Sequence, residues 1–194
     1  MGQFAVNNFT IHTHDIEELY IWIFERIRTY LFDRVFEINS EKGLLSSMIM
    51  NLGLKMQLNA TSEPDYAFLQ EKFKNEPLVR GIHMIDFRNS ELGRSYRHFQ
   101  NQFSTVIALN NIQNEPFYDQ KTIDKAKRFL QSDGHIIVFG RPTTWFLPGS
   151  EDDIALLRKH NKGVIEHILT DCEIVKTRFF DYNGPCYLAI GRKH

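Results

Sequence analysis

The sequence predicts a three-layer α/β sandwich, a mainly parallel sheet with helices on both faces and an antiparallel hairpin at its C-terminal end. Three observations carry this. Short apolar strands alternate with amphipathic helices from residue 34 onward, the order that builds parallel sheets. Two runs, Phe103 to Leu109 and His135 to Phe139, are apolar at nearly every position, as strands covered on both faces are. The last two strands are separated by Asn183-Gly184-Pro185, where Asn-Gly is a hairpin signal.

The elements follow in order. Asp15 and Glu18 form a capping-box pattern before a helix of about 15–31, with Ile16, Leu19, Ile23, Ile27 and Tyr30 at helical spacing. Tyr20, Trp22 and Phe24 widen its apolar face, so it is expected to lie on a larger body spanning 34–191. Arg34 to Ile38 is a strand, interrupted at Asn39 to Gly43. A helix over 44–52 ends at Gly53. Leu54 to Leu58 is the second strand. Ser62 and Pro64 open a helix over 64–74, since proline suits a first turn. Val79 to Ile85 is the third strand and Leu92 to Gln100 a helix. After the strand Phe103 to Leu109, a helix over 119–130 is expected to stop at Gly134. His135 to Phe139, a helical region over 151–169, and strands over 173–182 and 186–190 complete the chain. There is no internal repeat and no low-complexity linker, which predicts one domain over 1–194.

Composition narrows the function classes. The chain has 194 residues, 42% hydrophobic and 24% charged, with a formal net charge of -1. Sixteen Phe and seven Tyr argue for a packed core. No basic excess points to nucleic acid, and Arg192-Lys193-His194 is read as a solvated end. No apolar run reaches the length of a membrane span. The two cysteines, Cys172 and Cys186, form no Cys-x-x-Cys pair and are expected to be packing residues in a reducing cytoplasm. His12-x-His14-Asp15 lacks further ligands at metal-site spacing, so no metal is expected.

Ligands of open α/β sheets bind beyond the carboxyl ends of the strands, near the point where strand order reverses. The loops after the five apolar strands therefore hold the candidate site: Asn39 to Gly43, Asn59 to Glu63, Asp86-Phe87, Asn110-Asn111, and Arg141 to Trp145. Each of these residues also has an ordinary structural use. Asp and Asn cap and turn chains, and Trp145-Phe146 before Pro148 can be either a lid or a hydrophobic loop.

Two segments carry a family resemblance. FEINSEKGLLSSMIMNLG resembles the first motif of the Rossmann-like S-adenosylmethionine (SAM)-dependent methyltransferases, where an acid ends the strand and a glycine-rich turn follows. FSTVIALNNIQNEPFYDQKTIDKAKRFLQSDGHIIVFGRP is similar to their fourth strand, helix and fifth strand, YIWIFERIRTYL to the helix before the first strand, and CEIVKTRFFDYNGPCYLAIG to the closing hairpin.

The resemblance implies a Rossmann-like fold, SAM as cofactor, and Glu37, Asn39, Gly43, Asn59, Asp86, Phe87 and Asn110 as cofactor-binding positions. Asp86 is placed to meet the adenine amino group, with Phe87 beside the ring. The departures are specific. The pattern Glu-x-Gly-x-Gly-x-Gly falls on Glu37, Asn39, Glu41 and Gly43, so only the last glycine remains. Asn39 tolerates a left-handed backbone, whereas Glu41 brings a carboxylate toward the methionine part of SAM. The ribose-binding acid falls on Asn59, Ala60 or Thr61, none acidic, with Glu63 the nearest carboxylate. Gln113-Asn114 stands where the family has Glu-His. Lys159-His160-Asn161-Lys162 is similar to a family segment containing histidine, which makes His160 the one catalytic-base candidate.

Three functions remain open at this point: methyl transfer from SAM to a small-molecule or lipid-like acceptor; a non-catalytic domain of the same fold acting as a binding or regulatory partner, such as a homo-oligomer; and a pocket altered for another nucleotide or metabolite.

Overall fold

The computed structural model describes residues 16–87, 96–109, 120–140, 162–181 and 185–194. Helix α1 (Ile16–Ile27) carries Glu17 and Glu18 in its first turn and Arg26 in its last, a charge order that complements the helix dipole. It buries Leu19, Tyr20, Trp22, Ile23 and Ile27, and a 3₁₀ turn, Arg28–Tyr30, leads out of it. Strand β1 (Arg34–Glu37), helix α2 (Leu44–Met50), β2 (Lys55–Asn59), helix α3 (Glu63–Lys72) and β3 (Val79–His83) follow. Ser62 caps α3 by accepting a hydrogen bond from the Asp65 amide, with Pro64 in the first turn. Then come β4 (Phe103–Leu109), helix α4 (Gln120–Lys127), β5 (Leu130–Gly140), helical residues 162–168, β6 (Cys172–Asp181) and β7 (Pro185–Lys193).

The seven strands of the described residues form one sheet in the order β3-β2-β1-β4-β5-β7-β6. The first five are mutually parallel, and β7 runs antiparallel between β5 and β6. The expected hairpin is thus present, with its second strand inserted into the sheet rather than added at the edge.

Two apolar layers flank this sheet. On one face Leu19, Ile23, Ile27, Leu45, Ile49 and Leu69, from the first three helices, meet Val35, Met56 and Leu58. On the other, Ile123 and Ala126 of α4 meet Phe36, Val106, Ile136 and Val138. Phe36 is the centre of an aromatic group, its ring centroid 5.2 Å from those of Phe103 and Phe129, 5.7 Å from Phe99 and 6.1 Å from Phe87. Edge-to-face pairs of this kind add to area burial, and they fix β1 from below while α2 fixes it from above.

Several boundaries differ from those expected, two of them around β5. The helix α4 ends at Lys127, and β5 begins at Leu130 rather than His135. Leu130 pairs with Phe103, then the register jumps so that Thr105 faces His135, and Gly134 lies inside this bulge. Burial of Phe129 and Leu130 against the aromatic group takes those residues out of the helix. Gly134 is needed because a Cβ there would stand 2.9 Å from the Gln131 carbonyl oxygen and 3.2 Å from that of Phe103. Of the helix expected over 92–100, residues 92–95 lie outside the described residues, and Arg97–Phe99 form a 3₁₀ turn.

Candidate functional site

Beside β1 the sheet order reverses. From β1 the chain moves outward through β2 to β3, whereas from β4 it moves the other way to β5. Such a reversal opens a crevice at the carboxyl ends of the two central strands, and residues Ile38 to Gly43 stand there. Hydrogen bonds continue the sheet into this loop on both sides: the Ile38 amide donates to Ile107 O at 2.9 Å, and the Ser40 amide to Asn59 O at 3.0 Å. The loop is therefore a rigid extension of three strands.

Glu37, the last residue of β1, is 1% exposed and accepts a hydrogen bond from the Ser46 hydroxyl of α2. Burial pushes its carboxyl up to about 7, helped by the charge of Glu41; hydrogen bonding from Ser46 and Ser40 and the Lys72 ammonium act in the opposite direction. Glu37 ties the strand to the following helix.

Glu41 has a φ of 43°, a left-handed conformation that costs a non-glycine residue. Its carboxylate turns back into the molecule. Oε2 accepts from the Tyr20 hydroxyl of α1 at 2.9 Å, and Oε1 from Asn39 Nδ2 at 3.5 Å. Partial burial raises its carboxyl above the usual range, and the Tyr20 bond opposes that rise. Asn39 is buried, and its Oδ1 has no hydrogen-bond partner.

Gly43 opens α2 with a φ of 65°. A Cβ on it would lie 2.6 Å from the Phe73 ring, so both conformation and space require glycine. Lys72 Nζ donates to the carbonyls of Lys42 at 2.7 Å and Gly43 at 3.2 Å, binding the loop to α3.

Asn59 is fully buried at the end of β2. Its Nδ2 donates to Ile38 O at 2.8 Å and Ile85 O at 3.2 Å, and its Oδ1 accepts from the Ile85 amide at 2.6 Å. The side chain thus staples the ends of three strands together. Asp86 is exposed beyond β3. Phe87 is 4% exposed, with its ring in the aromatic group.

The structure therefore brings Glu37, Asn39, Glu41 and Gly43 together with Asn59 at the switch point, and sets Asp86 at the neighbouring strand end. Asn110, Asn111, Gln113, Asn114, Trp145, Phe146, His160 and the His12-His14-Asp15 fragment lie outside the described residues. Sequence reasoning missed Tyr20, Ser46 and Lys72. Tyr20 carried one signal, a hydroxyl on the otherwise apolar face of α1. Among the described residues, no three His, Cys, Asp or Glu side chains stand together as metal ligands would, and no helix is long and apolar enough to cross a membrane.

This architecture, with its seven-stranded order and inserted antiparallel strand, is the Rossmann-like α/β fold of the class I methyltransferases. Among solved structures, the chain is similar to a SAM-dependent methyltransferase from Methanosarcina mazei, with 14% identity and a TM-score of 0.63, covering 87% of this chain and 96% of that one. It is similar to the N-methyltransferase NodS from Bradyrhizobium japonicum in complex with S-adenosylhomocysteine, at 12% identity and a TM-score of 0.61, covering 91% and 86%. It is also similar to magnesium protoporphyrin IX methyltransferase from Synechocystis with bound S-adenosylhomocysteine, at 15% identity and a TM-score of 0.59, covering 92% and 83%. At these identities the likeness is one of fold. No protein-family model matches the chain, and no curated protein matches it.

Proposed function

We propose that the chain binds SAM in the crevice at the ends of β1 and β4 and transfers its methyl group to a small-molecule or lipid-like acceptor. The observation that supports this best is the placement of the Glu37-to-Gly43 loop at the switch point, rigidly joined to β2 and β4, in a fold of the methyltransferase kind. The residues fit the cofactor at one further point. Asn39 Oδ1 is a buried acceptor with no partner, and a ligand N–H or O–H would remove the desolvation cost of that atom.

In this reading Asn39 and Gly43 border the cofactor, Asp86 meets its adenine end, and Glu37 and Asn59 act through the strand ends and loop they fix. Phe87 contributes by anchoring the strand end next to Asp86 in the core, and Asn110 borders the reaction side. SAM supplies an activated methyl group. The protein's own contribution is alignment of the acceptor and exclusion of water, which is positioning work. His160 is the candidate base for an acceptor that must lose a proton.

A second reading, a non-catalytic domain of the same fold that binds a partner or a further copy of itself, is favoured by two features. The Asn59 amide is spent on backbone groups where a ribose acid would stand, and Glu41 projects a carboxylate into the loop. Equilibrium titration with SAM and S-adenosylhomocysteine separates the readings. The proposal expects a dissociation constant of tens of micromolar or weaker for SAM, equivalent to roughly -6 kcal/mol. Absence of binding by either compound at millimolar concentration supports the non-catalytic domain.

A further inference from the structure

A cavity of about 310 Å³ opens at the other end of the sheet, at the amino ends of the parallel strands. Arg34 is the first residue of β1, Lys55 the first of β2, and Arg80 the second of β3. All three line the cavity, with His98 beside them and Phe99 and Phe103 as its aromatic wall. Arg34 and Lys55 are direct partners across the β1–β2 ladder. Arg80 is the residue left between paired positions where the β2–β3 register shifts between Met56 and Gln57.

Like charges opposite one another in a sheet destabilise it, and among the described residues no carboxylate lines the cavity. Arg34 is partly answered: its Nε lies 3.5 Å from Asp33, which is not a lining residue, and its Nη1 donates to Gln102 at 3.1 Å. Among the described residues, Arg80 Nη1 donates to the Pro77 carbonyl, at 3.4 Å. Lys55 and Arg80 are exposed at the rim. Gln57 and Gln102 add neutral polar groups to the lining.

We propose that this cavity is an anion site for a small phosphorylated metabolite, separate from the switch-point crevice. Arg34, Lys55 and Arg80 would hold its phosphate oxygens, guanidinium groups being suited to two-point contact with phosphate. Phe99 and Phe103, both almost fully buried, form the apolar floor beneath these cations. The volume suits a compact ligand, being at the lower end for small-molecule pockets.

The test is calorimetric titration of the whole chain with inorganic pyrophosphate at low ionic strength, with and without saturating SAM. The expected result is saturable 1:1 binding that SAM leaves unchanged, weakened at least about tenfold in the double variant Lys55→Gln/Arg80→Gln. The control variant Lys121→Gln/Arg128→Gln removes two exposed cations elsewhere and is expected to bind as the parent does. Circular dichroism confirms that each variant is folded. No saturable binding by the parent, binding by Lys55→Gln/Arg80→Gln within about twofold of the parent, equal weakening in the control variant, or competition by SAM would each overturn the proposal.

Discussion

Asn59→Ala is expected to lower the stability of the fold by about 3 to 5 kcal/mol, the largest effect of any single change at the site. The substitution leaves the Ile85 amide and the carbonyls of Ile38 and Ile85 without the side-chain partner they have in the structure. A buried polar group left unsatisfied costs about 1 to 3 kcal/mol, and water reaching the gap reduces the sum. Asn59→Asp is the sharper variant, because it restores the acid that the methyltransferase resemblance places near this position. A carboxylate there would face two carbonyl oxygens with only one amide donor, so Asp should be no more stable than Ala. Urea denaturation of both variants measures this. Stability within about 1 kcal/mol of the parent for either one would show that the staple is not what holds the three strand ends.

The second large effect is pH-linked. Burial holds the Glu37 carboxyl at about 7 in the folded chain, against 4.5 ordinarily. A group whose folded pKa is raised contributes stability that is fully present below its unfolded value and is lost as pH rises through its folded one. The rise corresponds to roughly 3 kcal/mol lost between about pH 4.5 and pH 8. Glu41, also raised, adds a change of the same sign. Glu37→Gln is neutral at every pH and can still accept the Ser46 hydrogen bond. The variant should match the parent at about pH 4 and exceed its stability by roughly 3 kcal/mol at pH 8. Parallel stability curves for the two proteins across that range would show that Glu37 does not ionise at a cost.

These two residues show how much of the site was legible in the sequence. The alternation of strands and helices predicted the layers, and the acid-then-turn pattern after β1 placed the loop correctly, because both depend on local periodicity. The role of Asn59 depends on which strands flank β2 and where they end, information that lies in sheet order rather than in neighbouring residues. The Tyr20–Glu41 bond joins positions 21 apart through the packing of α1 on α2, and the hydroxyl on the apolar face of α1 does not by itself name its partner. The start of β5 was misplaced for a related reason. Gly134 reads as a helix stop, but it serves a bulge whose cause is the burial of Phe129 and Leu130 across the sheet.

Glu41 bears most directly on whether the switch-point crevice is a SAM site. Its carboxylate is held inside the loop by Tyr20 and Asn39, and the resemblance implies that this loop meets the carboxylate of the methionine moiety. Two such charges about 4 Å apart at an effective dielectric near 20 repel by roughly 4 kcal/mol before screening and rotation reduce it. A quarter of that is about 1 kcal/mol, or several-fold in affinity. The deciding measurement is calorimetric titration of SAM into the parent, Glu41→Gln and Glu41→Gly at two salt concentrations. Glycine also suits the left-handed backbone at this position. The account predicts the tightest binding for Glu41→Gly, an intermediate gain for Glu41→Gln that shrinks at high salt, and the weakest binding for the parent. Should neither variant bind SAM more tightly than the parent, Glu41 does not stand against the cofactor and the assignment of this loop to SAM is contradicted.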